Sequence, residues 1–206
     1  MDNLIMFDYD GTIVDSLAVF CESCVTTFRR RGFPQFATCE RAVAFMDGNW
    51  FAALAAAGVP ADVVDEIEDV FADLADPDAA DPPAPFAGMA ALLERLARRN
   101  TLVIVTSSRS YTVERVLARH GISGVAEVLG ADTETSKLRK IDLARAHHGH
   151  QLKPWYVGDT VGDILEAKAA GVGSVGVAWG WQHVDKLRAA SPDLIAYSPD
   201  DLLVLE

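Results

Sequence analysis

Four times along this chain a short apolar run stops at residues that carry chemistry. Leu4-Ile5-Met6-Phe7 leads into Asp8-Tyr9-Asp10-Gly11-Thr12, and Leu102-Val103-Ile104-Val105 leads into Thr106-Ser107. Val125–Leu129 is followed by Lys137, which opens a helical pattern, and Trp155-Tyr156-Val157 leads into Gly158-Asp159-Thr160-Val161-Gly162-Asp163. Apolar runs this short, bounded by turn residues, read as buried strands. Helical patterns fall between them, over about 87–99, 110–120, 137–148 and 161–170, and a last strand covers 174–177. Strand and helix in alternation imply a parallel sheet with helices on both faces. The fold class expected is therefore α/β, a Rossmann-like parallel sheet core. In such sheets ligands sit beyond the carboxyl ends of the strands, which is where all four features fall.

The first strand and the second are separated by a long segment of different character. From Ser16 to Arg31 the residues Val19, Phe20, Cys24, Val25 and Phe28 share one helical face, and Gly32-Phe33-Pro34 ends the helix. Residues 38–76 contain no convincing strand, and alanine-rich helical stretches fall near 38–46, 49–57 and 61–75. The Asp- and Pro-rich run Asp76–Pro85 reads as a return linker. Residues 1–15 and 82–206 are thus expected to form the catalytic core, with 16–81 inserted as an α-helical cap.

Charge excludes several partner classes. The net charge of −12 argues against nucleic acid and against anionic membranes, both of which need a basic face. The acidity is concentrated, since residues 15–85 hold 13 Asp and Glu against four Arg, with no Lys. An anionic substrate would have to be drawn in by local groups. No apolar stretch is long enough to span a bilayer, and the first residues lack a signal-like pattern. Three cysteines, an odd number, point to free thiols in a cytoplasmic protein. Cys21 and Cys24 lie within a helix and read as buried cap thiols; His147, His148 and His150 read as surface residues at a helix end. Trp179 and Trp181 read as packing residues near the rim, and Arg109 is a candidate second anion contact. The chain is expected to be a monomer or a homodimer.

The residue types at the strand ends suit one kind of chemistry. Asp8 and Asp10, one residue apart on extended backbone, point to the same side. One can attack phosphorus while the other moves protons, or both can hold a hard cation. Gly11 and Thr12 would offer turn amides to an anion, and Thr106-Ser107 offers hydroxyls and amides at a helix start. Asp159 and Asp163 add two carboxylates, and so many acids at one rim call for a divalent cation, with Mg²⁺ the natural occupant. Lys137 adds a cation at the start of a helix, and Lys140 follows three residues on.

This set resembles the haloacid dehalogenase-like hydrolase superfamily. DYDGTIVDS looks like its first motif, Thr106 its second, Lys137 its third and GDTVGD its fourth, in the family's order and across essentially the whole chain. The phosphoglycolate-phosphatase-like branch is the nearest by VGDTVGDILEAKAAGV and the tail GVAWGW…PDLIAYSPDDL. The resemblance implies that Asp8 is the nucleophile of an aspartyl-phosphate pathway and that Asp10 is the acid/base. It also implies that Asp8, the Asp10 carbonyl and Asp159 hold Mg²⁺, with Asp163 beside it as a further ligand or as a partner of the ligands, that Thr106 and Lys137 bind phosphoryl oxygens, and that Lys140 is the rival of Lys137. The function expected is hydrolysis of a small phosphomonoester such as phosphoglycolate. A phosphomutase of the β-phosphoglucomutase type and a non-catalytic phosphate-binding regulator are the alternatives. Asp10 disfavours a dehalogenase, and the lack of lysine in the cap disfavours a phosphonatase.

Overall fold

A computed structural model describes residues 3–149 and 151–206. Its centre is a six-stranded sheet in the order β5-β4-β1-β6-β7-β8, every pairing parallel. The strands are β1 (Asn3–Phe7), β4 (Thr101–Val105), β5 (Val125–Leu129), β6 (Lys153–Gly158), β7 (Gly173–Val177) and β8 (Leu194–Ala196). Parallel strands need crossovers, and these are helical: α5 (Met89–Ala97), α6 (Ser110–Arg119), α7 (Lys137–His148), α8 (Val161–Ala169) and α9 (Val184–Ala189). The last strand and helix, and a 3-10 turn over Pro199–Leu205, fall in a stretch for which hydropathy alone predicts no element.

The continuous apolar runs of the central strands follow from burial on both faces. Ile5 and Phe7 of β1 join one core, with Leu92, Leu96, Val113 and Val116 from α5 and α6. Leu4 and Met6 alternate into the opposite core, with Ile141, Ala144 and Ala167 from α7 and α8.

The chain leaves the sheet after β1 through β2 (Val14–Asp15) and returns through β3 (Ala84–Pro85). These two pair antiparallel, Val14 opposite Pro85 and Asp15 opposite Ala84, so exit and return are tied side by side. Between them lie α1 (Leu17–Arg30), α2 (Cys39–Ala44), α3 (Trp50–Ala56) and α4 (Ala61–Leu74). They pack on a separate apolar cluster that includes Phe20, Cys24, Phe28, Trp50, Leu54, Val63 and Ile67.

One expectation fails here. The cysteines are not all free thiols, because Cys21 of α1 and Cys39 of α2 form a disulfide, and Cys24 alone remains as a buried thiol. An odd count forbids complete pairing, not one pair. The partner of Cys21 is set by how α2 folds back on α1, which the local sequence does not reveal. The expectation of a cytoplasmic protein loses its cysteine argument. Among the described residues no helix is long and apolar enough to cross a membrane.

Candidate active site

Strand order reverses about β1: β4 and β5 extend the sheet to one side, β6 to β8 to the other. A crevice opens at such a reversal beyond the strand ends. Phe7 is in register with Val157, and the Asp8 amide donates to the Val157 carbonyl at 2.8 Å, which sets Asp8 beside the end of β6. Asp159 therefore emerges next to Asp8 although 151 positions separate them.

Asp8, Asp159 and Asp163 are almost fully buried, at 6%, 0% and 1% exposure, and each offers a carboxylate oxygen within 4.8 Å of the others. Lys137 Nζ lies 2.8 Å from Asp8 Oδ2 and 2.6 Å from Asp163 Oδ1. Asp163 is also fixed by a capping box at the start of α8, accepting from the Thr160 amide at 3.0 Å and its hydroxyl at 2.7 Å. Lys137 is the first residue of α7, where a cation opposes the helix dipole. Its two carboxylate partners account for that placement. Lys140 points elsewhere, donating to the Thr106 carbonyl.

Each remaining acid is aimed by specific donors. Asp159 accepts from the Trp181 amide at 2.6 Å and from the Thr12 hydroxyl at 3.2 Å. Asp10 accepts from the Ser16 hydroxyl at 2.7 Å on one oxygen and from the Ser108 hydroxyl at 2.5 Å on the other. Asp8 Oδ1 accepts from the Tyr9 amide at 2.8 Å. Thr106 Oγ1 accepts from the Ser108 amide at 3.0 Å, so its own proton is left to donate into the cleft that Thr106, Ser107 and Lys137 line.

Gly11 and Thr12 serve differently from the expectation. Their amides are used inside the turn, Gly11 donating to the Val14 carbonyl and Thr12 to that of Tyr9, so they are not free to cradle an anion. Gly11 has a positive φ of 74°, and a Cβ there would collide with the Asp159 carboxylate and the Trp181 ring. Its smallness makes room for Asp159, and the Thr12 hydroxyl orients that carboxylate. Arg109 lines the cleft, but its guanidinium pairs with Asp69 of α4 rather than standing free for an anion. His147 and His148 gather on Glu127, away from the cleft; His150 lies outside the described residues.

The electrostatics of the cluster follow from burial. Desolvation pushes the Asp8 carboxyl up to about 7, with Asp163 and Asp10 acting in the same direction and Lys137 against. Asp159 is raised well above the usual carboxylate range by burial and by the charges of Asp163 and Asp8. Burial also raises Asp10, opposed by its hydrogen bonds from Ser108 and Ser16. Lys137 is held charged by Asp163 and Asp8 despite its burial. One lysine cannot neutralise three buried carboxylates. An all-oxygen donor set with an excess of negative charge fits a hard divalent cation, and Asp8, Asp159 and Asp163 would hold it.

Three residues given no site role in the expectations carry this geometry: Ser16, Ser108 and, through its amide, Trp181, expected only to pack near the rim. Ser16 precedes α1 and Ser108 lies two residues past Thr106. Hydroxyls in loops are common, and only the meeting of the two loops on Asp10 distinguishes these.

The phosphoglycolate phosphatase of Vibrio parahaemolyticus is 29% identical over 216 residues, spanning 97% of this chain and 94% of that protein. That of Vibrio vulnificus is 39% identical over 108 residues, and there the match spans 50% of this chain and about half, 47%, of the relative's length. A hydrolase from Pseudomonas syringae has the same fold, with a TM-score of 0.80 at 18% identity over 98% of this chain and 97% of that one. A family model described as haloacid dehalogenase-like hydrolase matches residues 5–177, from β1 with its following Asp8 through the end of β7. With the match running through every strand end that supplies an acid, a hydroxyl or the lysine, the chain belongs to the haloacid dehalogenase-like hydrolases.

Proposed function

We propose that the chain is a Mg²⁺-dependent phosphatase of small phosphomonoesters that works through a phosphoryl group on Asp8. The observation that carries this reading is the pairing of two differently prepared carboxylates. Asp8 sits against Lys137 within a cation-ready cluster, whereas Asp10 is half-buried and held by two hydroxyls. The first environment suits a nucleophile, the second a proton carrier.

In the first half-reaction an Asp8 oxygen bonds to phosphorus as the ester oxygen departs, and Asp10 gives its proton to that oxygen. In the second, Asp10 takes a proton from water as the water oxygen attacks the same phosphorus, releasing phosphate and restoring Asp8. Lys137 and the Thr106 hydroxyl are placed to hold phosphoryl oxygens. When bound, Mg²⁺ would neutralise the acids and the phosphoryl group. Phosphoryl transfer depends largely on such positioning and charge neutralisation. The names of the Vibrio relatives put phosphoglycolate among the substrates to try.

The test is phosphate release from a panel of small phosphorylated metabolites and p-nitrophenyl phosphate, with and without Mg²⁺. Turnover should require the metal and vanish in Asp8→Asn, while the variant's circular dichroism stays native. Equal turnover by Asp8→Asn would remove Asp8 from the role given to it.

A further inference from the structure

Above Asp8 and Asp10 the cleft is walled by cap residues together with Thr112 of α6 and Trp181 from the loop after β7, and this wall contains polar atoms with nothing to bond. Among the described residues six buried side-chain polar atoms have no hydrogen-bond partner, and four of them belong to residues lining this cleft. They are Glu68 Oε1, Thr112 Oγ1 and the indole nitrogens of Trp50 and Trp181. Buried polar atoms normally find partners, so a group of orphans around one cleft points to a ligand that supplies them.

The rest of the wall is aromatic. Phe20 stacks on Trp181 with ring centroids 4.5 Å apart, and meets Trp50 and Phe71 edge-on at 6.3 and 6.5 Å. Glu68 lies one helical turn before Phe71 and Ala72 on α4, so all three share the face turned to the cleft. Burial pushes the Glu68 carboxyl up to about 7; Asp65 and Asp69 act in the same direction, Arg109 and Lys140 against. Neither cationic side chain of the cleft is free to receive a second anion, because Lys137 holds Asp8 and Asp163 and Arg109 holds Asp69.

We propose that this cleft selects phosphomonoesters whose alcohol carries an ammonium group, with the cation lying among the rings of Phe20, Trp50, Phe71 and Trp181 and Glu68 as its counter-ion. The proposal rests on the phosphatase reading above. Aromatic faces attract cations, most strongly where water is excluded, and the orphaned carboxylate oxygen gains a partner of opposite charge. The acidic cap adds a field of the same sign. A substrate ending in a carboxylate, such as phosphoglycolate, would instead set a second anion against Glu68. The two indole N–H groups and the Thr112 hydroxyl remain for ester oxygens.

The experiment compares kcat/KM, with Mg²⁺, for phosphocholine, phosphoethanolamine, phosphoglycolate and the uncharged isostere of phosphocholine in which carbon replaces nitrogen. An ammonium ester should exceed the isostere by about tenfold, and phosphoglycolate should trail both. In Glu68→Gln, a near-isosteric change, the ratio of ammonium ester to isostere should collapse towards one. Use of phosphoglycolate or the isostere as readily as the ammonium esters overturns the proposal, as does an unchanged ratio in Glu68→Gln. p-Nitrophenyl phosphate separates the two levels of failure. If it is hydrolysed while the ammonium preference is missing, only this inference falls; if no ester releases phosphate, the phosphatase reading falls with it.

Discussion

Asp10 shows how two ordinary side chains set the environment of a third. Its carboxyl is raised by burial and pulled back by hydroxyl donors from Ser108 and Ser16. The two donors come from different segments, one at the start of the cap and one in the loop after β4, so they also fix the carboxylate between cap and core. Hydrogen bonds to the charged form of an acid favour that form. Removing one of them leaves burial less opposed, and the folded-state pKa of Asp10 moves further up. In the proposed mechanism water activation needs the ionised carboxylate, so the acidic limb of the pH–rate profile should shift to higher pH in Ser108→Ala. A hydrogen bond to a charged group is worth about 1.5–3 kcal/mol, so kcat should fall by about 10- to 100-fold. A profile of kcat against pH for Ser108→Ala and Ser16→Ala checks both effects. Rates and limbs matching the unaltered chain would show that the hydroxyls do not govern Asp10.

The elements divide by how much of their cause is local. β1, β4 and β6 are legible in the sequence because both faces of each are covered, leaving uninterrupted apolar runs. α7 begins at Lys137 and ends at His148, as the sequence pattern predicts, with the Ser136 hydroxyl capping its first turn. β8 escapes such a reading because its three residues become a strand only by pairing with β7. The β2–β3 ribbon escapes for the same reason, since each strand has two residues and its partner lies about 70 positions away. The same contrast holds in the site. Asp8, Asp10, Asp159 and Lys137 stand at strand or helix ends where alternation and topology predict convergence. The commitment of the Gly11 and Thr12 amides depends on turn geometry that residue types do not specify. The Cys21–Cys39 bond is a further case of non-local pairing, and it joins α1 to α2 across 18 positions. Closing a loop of this size restricts the unfolded chain by about 3 kcal/mol in the chain-entropy model. Reduction, or Cys39→Ser, should therefore lower the melting temperature by several degrees. Thiol titration of the denatured, unreduced chain should find only Cys24; reaction of all three cysteines, with no change in melting on reduction, would refute the bond.

At the scale of the molecule, the acidic cap is held on the core by charges along two sides. On one side Arg109, just before α6, pairs with Asp69, while α6 supplies Arg115 to Asp76 and Asp78 and Arg119 to Asp78 at 3.2 Å. On the other, Lys186 and Gln182 both reach Asp47 at 2.8 Å, and the backbone of Met46 and Gly48 lies so close to Gly162 of α8 that a Cβ there would not fit. Single exposed ion pairs contribute about 0–1 kcal/mol each, and salt screens them. Their joint effect is to favour the arrangement in which Glu68 and the aromatic wall stand over Asp8 and Asp10. Because the cap has its own apolar cluster, weakening these contacts should release it as a unit without unfolding either part. Replacing both Arg115 and Arg119 by Glu would turn the attraction to Asp76 and Asp78 into repulsion. At low salt the double variant should show a larger radius of gyration in solution scattering, and KM for the preferred ester should rise because the cap wall no longer completes the cleft. Its melting temperature should change little, since both residues are exposed and outside the cores. A scattering profile and KM identical to those of the unaltered chain would mean that the cap is held by its apolar and backbone contacts alone.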